Sequence, residues 1–497
     1  MQPVALFGSG VYGKSAVVTR QRRVNCYYEM RADGDKAKVV IYGTPGLVPM
    51  FVVGSPLQTP VRAILGPTNS LLFVVTYNQF QQITPPTTTS GTSNVPVKFT
   101  GSIGTISGIA SMAANPAASQ IVTVDGSSGW VFNVAAQTIA ALVASWFVPG
   151  AKTITNVGGY FVTEIPNTAQ FAVSNLNDAT TGSALSFAAA SAYPDIVIAV
   201  DQLAGNLLAF GQKHLEFWQN VGTPPPSQPF APIQAATTEW GLAAIFSRGH
   251  IDNALVALLQ SSAGTRRVCR IDGYTVTPIS EEIDYIINQP GFVYSDATAL
   301  TYQRDKHPFY QITFPTMGRS FLFDLSTNIP SETQTGLSTG PYVRHAGNLS
   351  AYYNGDTLIT DAVNGNVYRM DDNTYTDNGT PVLREVVTKH HIKGFNRFRV
   401  PQLYLDMETG VGVSGDAQNP VQGQNPVISI ECSKDNGRTW LQPRLIPLGA
   451  LGQFVTRINA RRFGKGRIFT WRFRMTDPVK FVITDGAIRR KGRPETA

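Results

Sequence analysis

Cysteine is scarce in this chain: Cys26, Cys269 and Cys432 are the only three among 497 residues. Their number is odd, no CxxC occurs, and each sits among strand-like residues, so neither a disulfide framework nor a thiolate metal site is expected. They are read as buried free thiols. Charge is scarce too, with 15% Asp, Glu, Lys and Arg against 43% apolar residues. Such a surface suits a protein partly hidden in an assembly. Long apolar runs are missing: the longest, residues 139–148, is about half of the roughly 20 residues a spanning helix needs. No membrane-spanning segment is therefore expected. The basic residues of "MQPVALFGSGVYGKSAVVTRQRR" follow its mildly apolar run, which is not the order of a signal peptide. The chain is expected to be soluble and made in the cytosol. Residues 135–147, "AAQTIAALVASWF", are expected to form a short core helix stopped by Pro149 and Gly150. There is no GxSxG, HExxH, P-loop or dinucleotide fingerprint, so no catalytic residue and no cofactor is assigned.

What the chain has in plenty is turn and strand chemistry. Its 45 Gly and 32 Pro punctuate stretches rich in Thr, Val and aromatic residues, the composition of many short strands joined by tight turns. Segments such as "NSLLFVVTYNQFQQIT", "NVGGYFVTEIPNTAQFAV", "GNLLAFGQKHLEFWQNV" and "HPFYQITFPTMGRSFLFDL" repeat one design: apolar strand, polar turn, second strand. They recur at roughly 40 to 55 residues, the spacing of propeller blades. A lone hairpin pair cannot bury its faces, whereas radial stacking buries both and protects the edges. The expected fold is all-β: an N-terminal arm and first strands over 1–50, a β-propeller-like body over 51–381 with a loop insertion near 85–107, and a basic β-sandwich-like domain over 382–497, where the alternating strands lengthen. The charge supports a change of character there. From Arg384 onward 20 Lys and Arg face 9 Asp and Glu, against 20 and 24 before it.

Within "FGQKHLEFWQNVG", strand alternation sets His214, Glu216 and Trp218 on one face, neighbours about 7 Å apart. An acid beside a stacking platform would suit a sugar, but no second carboxylate is evident nearby, as glycosidase chemistry requires. The three are read as blade packing, with Trp218 between blades and His214 and Glu216 paired with each other or with backbone. His390 and His391, being consecutive, point to opposite faces and make a poor metal pair. The acidic turn 371–379 lacks the bidentate Glu and spacing of a calcium loop, and no metal is expected.

"SKDNGRTW" resembles the Asp-box of sialidases and other propellers. In it Asp435 bonds amides of its own turn, Ser433 begins the box, Gly437 takes positive φ and Trp440 returns to the core. In those enzymes the box is a fold device away from the reacting sugar, so it implies a hairpin and no activity. In "RINARRFGKGRIFTWRFRM", Phe469, Trp471, Phe473 and Met475 fall on one face, which is core. Arg472 and Arg474 fall on the other, preceded by Arg457, Arg461, Arg462, Lys465 and Arg467. That basic face would meet phosphate or an acidic protein surface, or simply be solvated. Residues 488–494, with Arg489, Arg490 and Lys491, are expected to be a mobile tail or docking arm.

Taken in order, "RRVNCYYEM", "YGTPGL", "GGYFV", "FAVSNLND", "AYPDIVIAV", "LLAFGQKHLEFWQNVG", "CRIDGYTVTPIS", "HPFYQITFP", "GNVYRMDDNTYTDNG", "LYLDMETGVG", "CSKDNGRTW" and "WRFRMTDPV" resemble one family. It is the packaged-DNA stabilisation, or tail-nozzle (tail hub), family of short-tailed bacteriophages. The resemblance covers nearly the whole chain apart from 85–107. It implies a virion tail protein, synthesised in the host cytoplasm, forming a hexameric ring below the portal and adaptor proteins. Such a ring closes the channel around DNA without reading its sequence, and offers docking sites to tail fibres, spikes or a needle. Two departures bear on docking: "VGTPPPSQPFAP" carries a triple proline, and "STNIPSETQ" lacks an expected Trp. Under this reading the basic C-terminal faces are subunit or adaptor contacts in preference to a DNA clamp, because DNA must later slide through. The alternative is a propeller glycosidase or receptor-binding protein acting on host surface glycans.

Overall fold

The computed structural model describes residues 4, 5, 7, 14–31, 39–54, 59–84, 97–190, 192–338, 343–415 and 421–491. The low-complexity stretch 85–96 lies outside them. The fold is all-β, as expected, and among the described residues the α-helix is a single turn, Asp284–Ile287. Two compact units account for the chain. One comprises Pro49–Thr316 and Ala346–Arg369; the other comprises Met1–Val48, Met317–His345 and Met370–Ala497.

The first unit is the propeller. Among the described residues its blades begin with seven strands, Val61–Thr68, Ser111–Ala114, Ile154–Val157, Val197–Leu203, Gly249–Ile251, Thr298–Arg304 and Gly347–Tyr353, and each runs antiparallel to the next strand of its own blade. The local cause is a repeated turn. Ala204 and Gly205, Asp252 and Asn253, Asp305 and Lys306, and Asn354 and Gly355 all have positive φ at both positions. That is the type I′ geometry whose twist matches the flanking strands. Apolar residues then lie between blades, not within them. Phe73, Phe80, Phe99 and Phe132 form one aromatic cluster between the first two blades, with centroids 4.8–5.7 Å apart. Further cores join the second to the third, the third to the fourth and the fourth to the fifth. The circle closes where Phe51 and Val53 share a core with Val61, Leu72, Leu358 and Val367, and Val53 N–H donates to Gly365 O at 2.8 Å.

Two expectations are corrected here. Residues 135–147 are not a helix: Thr138–Ala141 is the outer strand of the second blade, paired with Gly129–Asn133. The run is apolar because Ala is small and Trp146 and Phe147 plug the core after the strand; its outer strand is mostly exposed. Val97–Ser102, expected within a loop insertion, is the outer strand of the first blade.

The second unit is a β-sandwich. One sheet orders its strands Cys26–Met30, Val39–Gly43, Val482–Lys491, Phe398–Met407, Ile458–Gly466; the part of the other sheet that lies in this unit runs Arg319–Asp324, Ile329–Thr333, Arg22–Val24, Arg384–Val387, Ile468–Met475, Val427–Ser433, Arg444–Pro447. Both inner faces feed one core, with Tyr28, Leu403 and Phe463 from the first sheet and Ile430, Trp471 and Phe473 from the second. Phe469, Trp471, Phe473 and Met475 are all buried, as strand alternation requires. Residues 488–491 are no free tail: they end the strand Val482–Lys491, where Ile488 opposes Leu403 and is fully buried. Residues 492–494 lie outside the described residues. All three cysteines are free and buried, and burial pushes each thiol up to about 12.

Candidate assembly surface

The stretch 210–222 is the middle hairpin of the fourth blade, Asn206–Gly211 paired with Leu215–Asn220. Trp218 packs edge-on against Phe171 of the third blade at 5.0 Å. His214 and Glu216 do not pair with each other. The His214 ring stacks on Tyr193 at 4.0 Å and its Nδ1 lies 3.4 Å from Asp195. Glu216 accepts the Ala192 N–H at 3.0 Å, and burial holds its carboxyl above the usual range. A second carboxylate, Asp195, is thus brought close by folding although it lies 21 positions earlier in the sequence. The space these groups enclose is about 10 Å³, room for roughly one water and for no sugar ring.

The basic face of Ile468–Met475 has a different setting from the one expected. Arg472 and Arg474 both pair with Glu431 on the neighbouring strand, and Arg474 reaches Glu385 at 3.7 Å. Beyond Glu385 stands Arg22 at 3.5 Å, then Glu332 at 2.7 Å, then Arg319 at 2.7 Å. Four arginines and three nearly buried glutamates therefore alternate across one face of the sheet, each row set by strand register: Glu385 opposes Arg474, and Glu431 opposes Arg472. The ladder ends on Trp440, whose ring lies 4.2 Å beneath the Arg472 guanidinium. Trp440 is half-buried there and does not return to the core.

The Asp-box forms as a hairpin device. Ser433 Oγ donates to Asp435 at 2.6 Å, Asp435 accepts the amides of Arg438 and Thr439 at 3.1 and 2.9 Å, and Gly437 adopts φ +77°. Burial alone would raise the Asp435 carboxyl, but the Ser433 and Thr439 bonds draw it down to about 2.

Arg457, Arg461, Arg462, Lys465 and Arg467 are exposed. Arg461, Arg462 and Lys465 belong to Ile458–Gly466, which stands at the end of its sheet. Arg462 has φ +66°, so the strand is bulged. A charged, bulged edge resists pairing with stray strands. Arg489 is exposed; Arg490 is half-buried with its guanidinium 5.0 Å over Phe398. The Lys491 side chain lies outside the described residues. His390 bonds Thr470 and the Ala16 carbonyl, while His391 is buried against Trp471. Among the described residues no cluster of three His, Cys, Asp or Glu could hold a metal.

At the propeller axis, Ala63, Met112, Asp201, Arg248, Ala299 and Ser350 line a cavity of about 200 Å³. Burial would raise the Asp201 carboxyl, but Arg248 at 2.6 Å and His250 at 2.9 Å draw it down to about 2. Sequence reasoning missed this cluster and the glutamates of the ladder. Their only signal is charged residues at buried strand positions, and their partners lie far away in the chain.

Residues 62–375 match the family described as Bacteriophage P22 Gp10, beta-propeller, and residues 384–491 match Bacteriophage P22 Gp10, beta-sandwich. No curated protein matches the chain. Among solved structures it is similar to the Cps50 (Swd1) β-propeller domain of Myceliophteria thermophila, with a TM-score of 0.40 and 8% identity over 65% of this chain and 98% of that one.

Proposed function

The chain belongs to the bacteriophage P22 Gp10 family, structural proteins of the phage tail, and from that membership we propose that it is a ring-forming component of a short tail. Six copies close the tail channel below the portal and adaptor, retain the packaged DNA without reading its sequence, and give fibres, spikes or a needle their docking surfaces. The observation that carries this reading is the order of the two family domains along one chain, a closed propeller followed by a sandwich. The work is mechanical, and rigidity is what the fold offers: interlocked blade cores resist deformation as close-packed interiors do.

Geometry narrows where DNA would run. The axial cavity of the propeller, about 200 Å³, has room for a few water molecules and not for a duplex. In this reading the channel is the hole between copies. The exposed cations of the sandwich edge, Arg457, Arg461, Arg462, Lys465 and Arg467, are assigned to subunit or adaptor contacts. Arg472 and Arg474 are left out of that set because glutamates already face them. Glycan hydrolysis at Glu216 is disfavoured, since a site with room for about one water binds no sugar.

The test is a particle assembled without this chain. Heads should fill with DNA and then leak it, and adding back the purified chain should restore retention and the attachment of the outer tail proteins. Particles that keep their genome and a complete tail without it would overturn the reading.

A further inference from the structure

The loop 449–457, "GALGQFVTR", has an unusual combination of properties. Its backbone is tied down. Gly452 N–H donates to Gly410 O at 3.1 Å, Gln453 N–H to Ala450 O at 3.0 Å, and Thr409 Oγ1 to Phe454 O at 2.9 Å. Gly410, at φ +74°, lies so close beneath that a Cβ there would stand 2.8 Å from the Phe454 ring. Yet its apolar side chains face water: Leu451 is 61% exposed, Phe454 72% and Val455 93%. An apolar loop that folding holds in place without covering is shaped for a partner.

The partner's chemistry follows from charge. Phosphates would answer the neighbouring Arg457 and Arg461, but nucleic acid bound through its backbone offers no bed for Phe454 and Val455, so the occupant is a protein. The groove beside the loop, about 480 Å³, is lined by Tyr404, Arg457 and Arg461 among others. Two copies meeting hook to hook would bring these cations together, which like-charge repulsion opposes. The chain itself holds the complement. The sandwich unit carries 29 Lys and Arg against 17 Asp and Glu, net +12, and the propeller unit 11 against 16, net −5. We propose that residues 449–457 form an apolar hook, flanked by Arg457 and Arg461, that docks on the acidic propeller of a second copy of this chain. The contact is head-to-tail, the kind that repeats around a ring. This inference rests on the ring reading and names the surface that builds the ring.

The experiment compares the full chain with its Phe454→Asp/Val455→Asp variant by sedimentation over a range of concentrations. Both side chains are exposed, so the variant should melt at the native temperature. The native chain is expected to assemble and the variant to stay single. If both assemble alike, the hook assignment fails and the ring reading stands; if the native chain stays single at every concentration, both fail. A second readout locates the contact. A benzophenone amino acid in place of Val455, in a mixture of ¹⁴N- and ¹⁵N-labelled chains, should cross-link to residues 49–316 of the other copy. Cross-links into the other copy's sandwich would overturn the proposal.

Discussion

Arg62 is a heavily bonded side chain of the propeller. Its guanidinium donates to the carbonyls of Tyr77, Thr105, Ser107 and Gly108 and to Thr105 Oγ1, at 2.5–2.7 Å. The planar fork ties the loop 105–108 to the first blade, and no ammonium can span the same acceptors. Arg62→Lys should therefore fail to rescue Arg62→Met. Both should lose about 1–3 kcal/mol, because the guanidinium's part-buried bonds to four carbonyls are lost, measurable as a lower urea midpoint at unchanged slope. Asp377 acts in the opposite sense. Burial raises its carboxyl from 3.8 to about 6, despite the Thr335 hydroxyl bond and the nearby Arg384 charge. A raised acid binds its proton more tightly when folded, so its contribution is fully present below pH 3.8 and is lost as pH rises through about 6. Unfolding titrations should show stability falling between about pH 4 and 6. Asp377→Asn should flatten that fall and raise the melting temperature at neutral pH.

Among elements, the arginine and glutamate ladder gives the sharpest contrast between what a sequence displays and what it conceals. The alternation of Phe469, Trp471, Phe473 and Met475 against Arg472 and Arg474 is local, and reading it needs only the two-residue period of a strand. The partners of those arginines are 43 and 89 positions away for Arg474, at Glu431 and Glu385, and no period marks them. The same limit applies to Asp195 beside His214, and to the axial Asp201 and Arg248. The propeller and sandwich were legible because turns and strand patterns repeat; residues 135–147 were misread because a short apolar run fits a buried helix and a blade strand equally. A double-mutant cycle tests the ladder. Glu431→Gln alone leaves two guanidiniums facing a neutral amide on a partly wet face and should cost about 1–3 kcal/mol. Paired with Arg472→Leu it should cost less than the two single changes together, since the buried charge and one of its partners go at once. Strict additivity in thermal unfolding would mean that the pair does not interact.

For the whole molecule, the proposed function raises the question of how a basic chain would enclose DNA without seizing it. Formal charge is +7, yet the propeller unit is net negative and the ladder ties up Arg472 and Arg474. Among the exposed cations, the sandwich edge gathers Arg457, Arg461, Arg462, Lys465 and Arg467. If all five gripped phosphates, affinity for duplex would fall with salt at a logarithmic slope near −4.5, a loss of about 500-fold between 50 and 200 mM salt. Under the proposed function, a wall past which DNA slides has no use for such a grip. With the edge committed to protein contacts, the purified chain should touch at most about two phosphates and lose only about tenfold over the same range. Fluorescence anisotropy with a labelled duplex of arbitrary sequence measures this directly. The Arg461→Glu/Arg462→Glu variant should leave that shallow slope nearly unchanged while failing to restore DNA retention to particles that lack the chain. A steep native slope that the variant abolishes would reassign the edge as a DNA clamp.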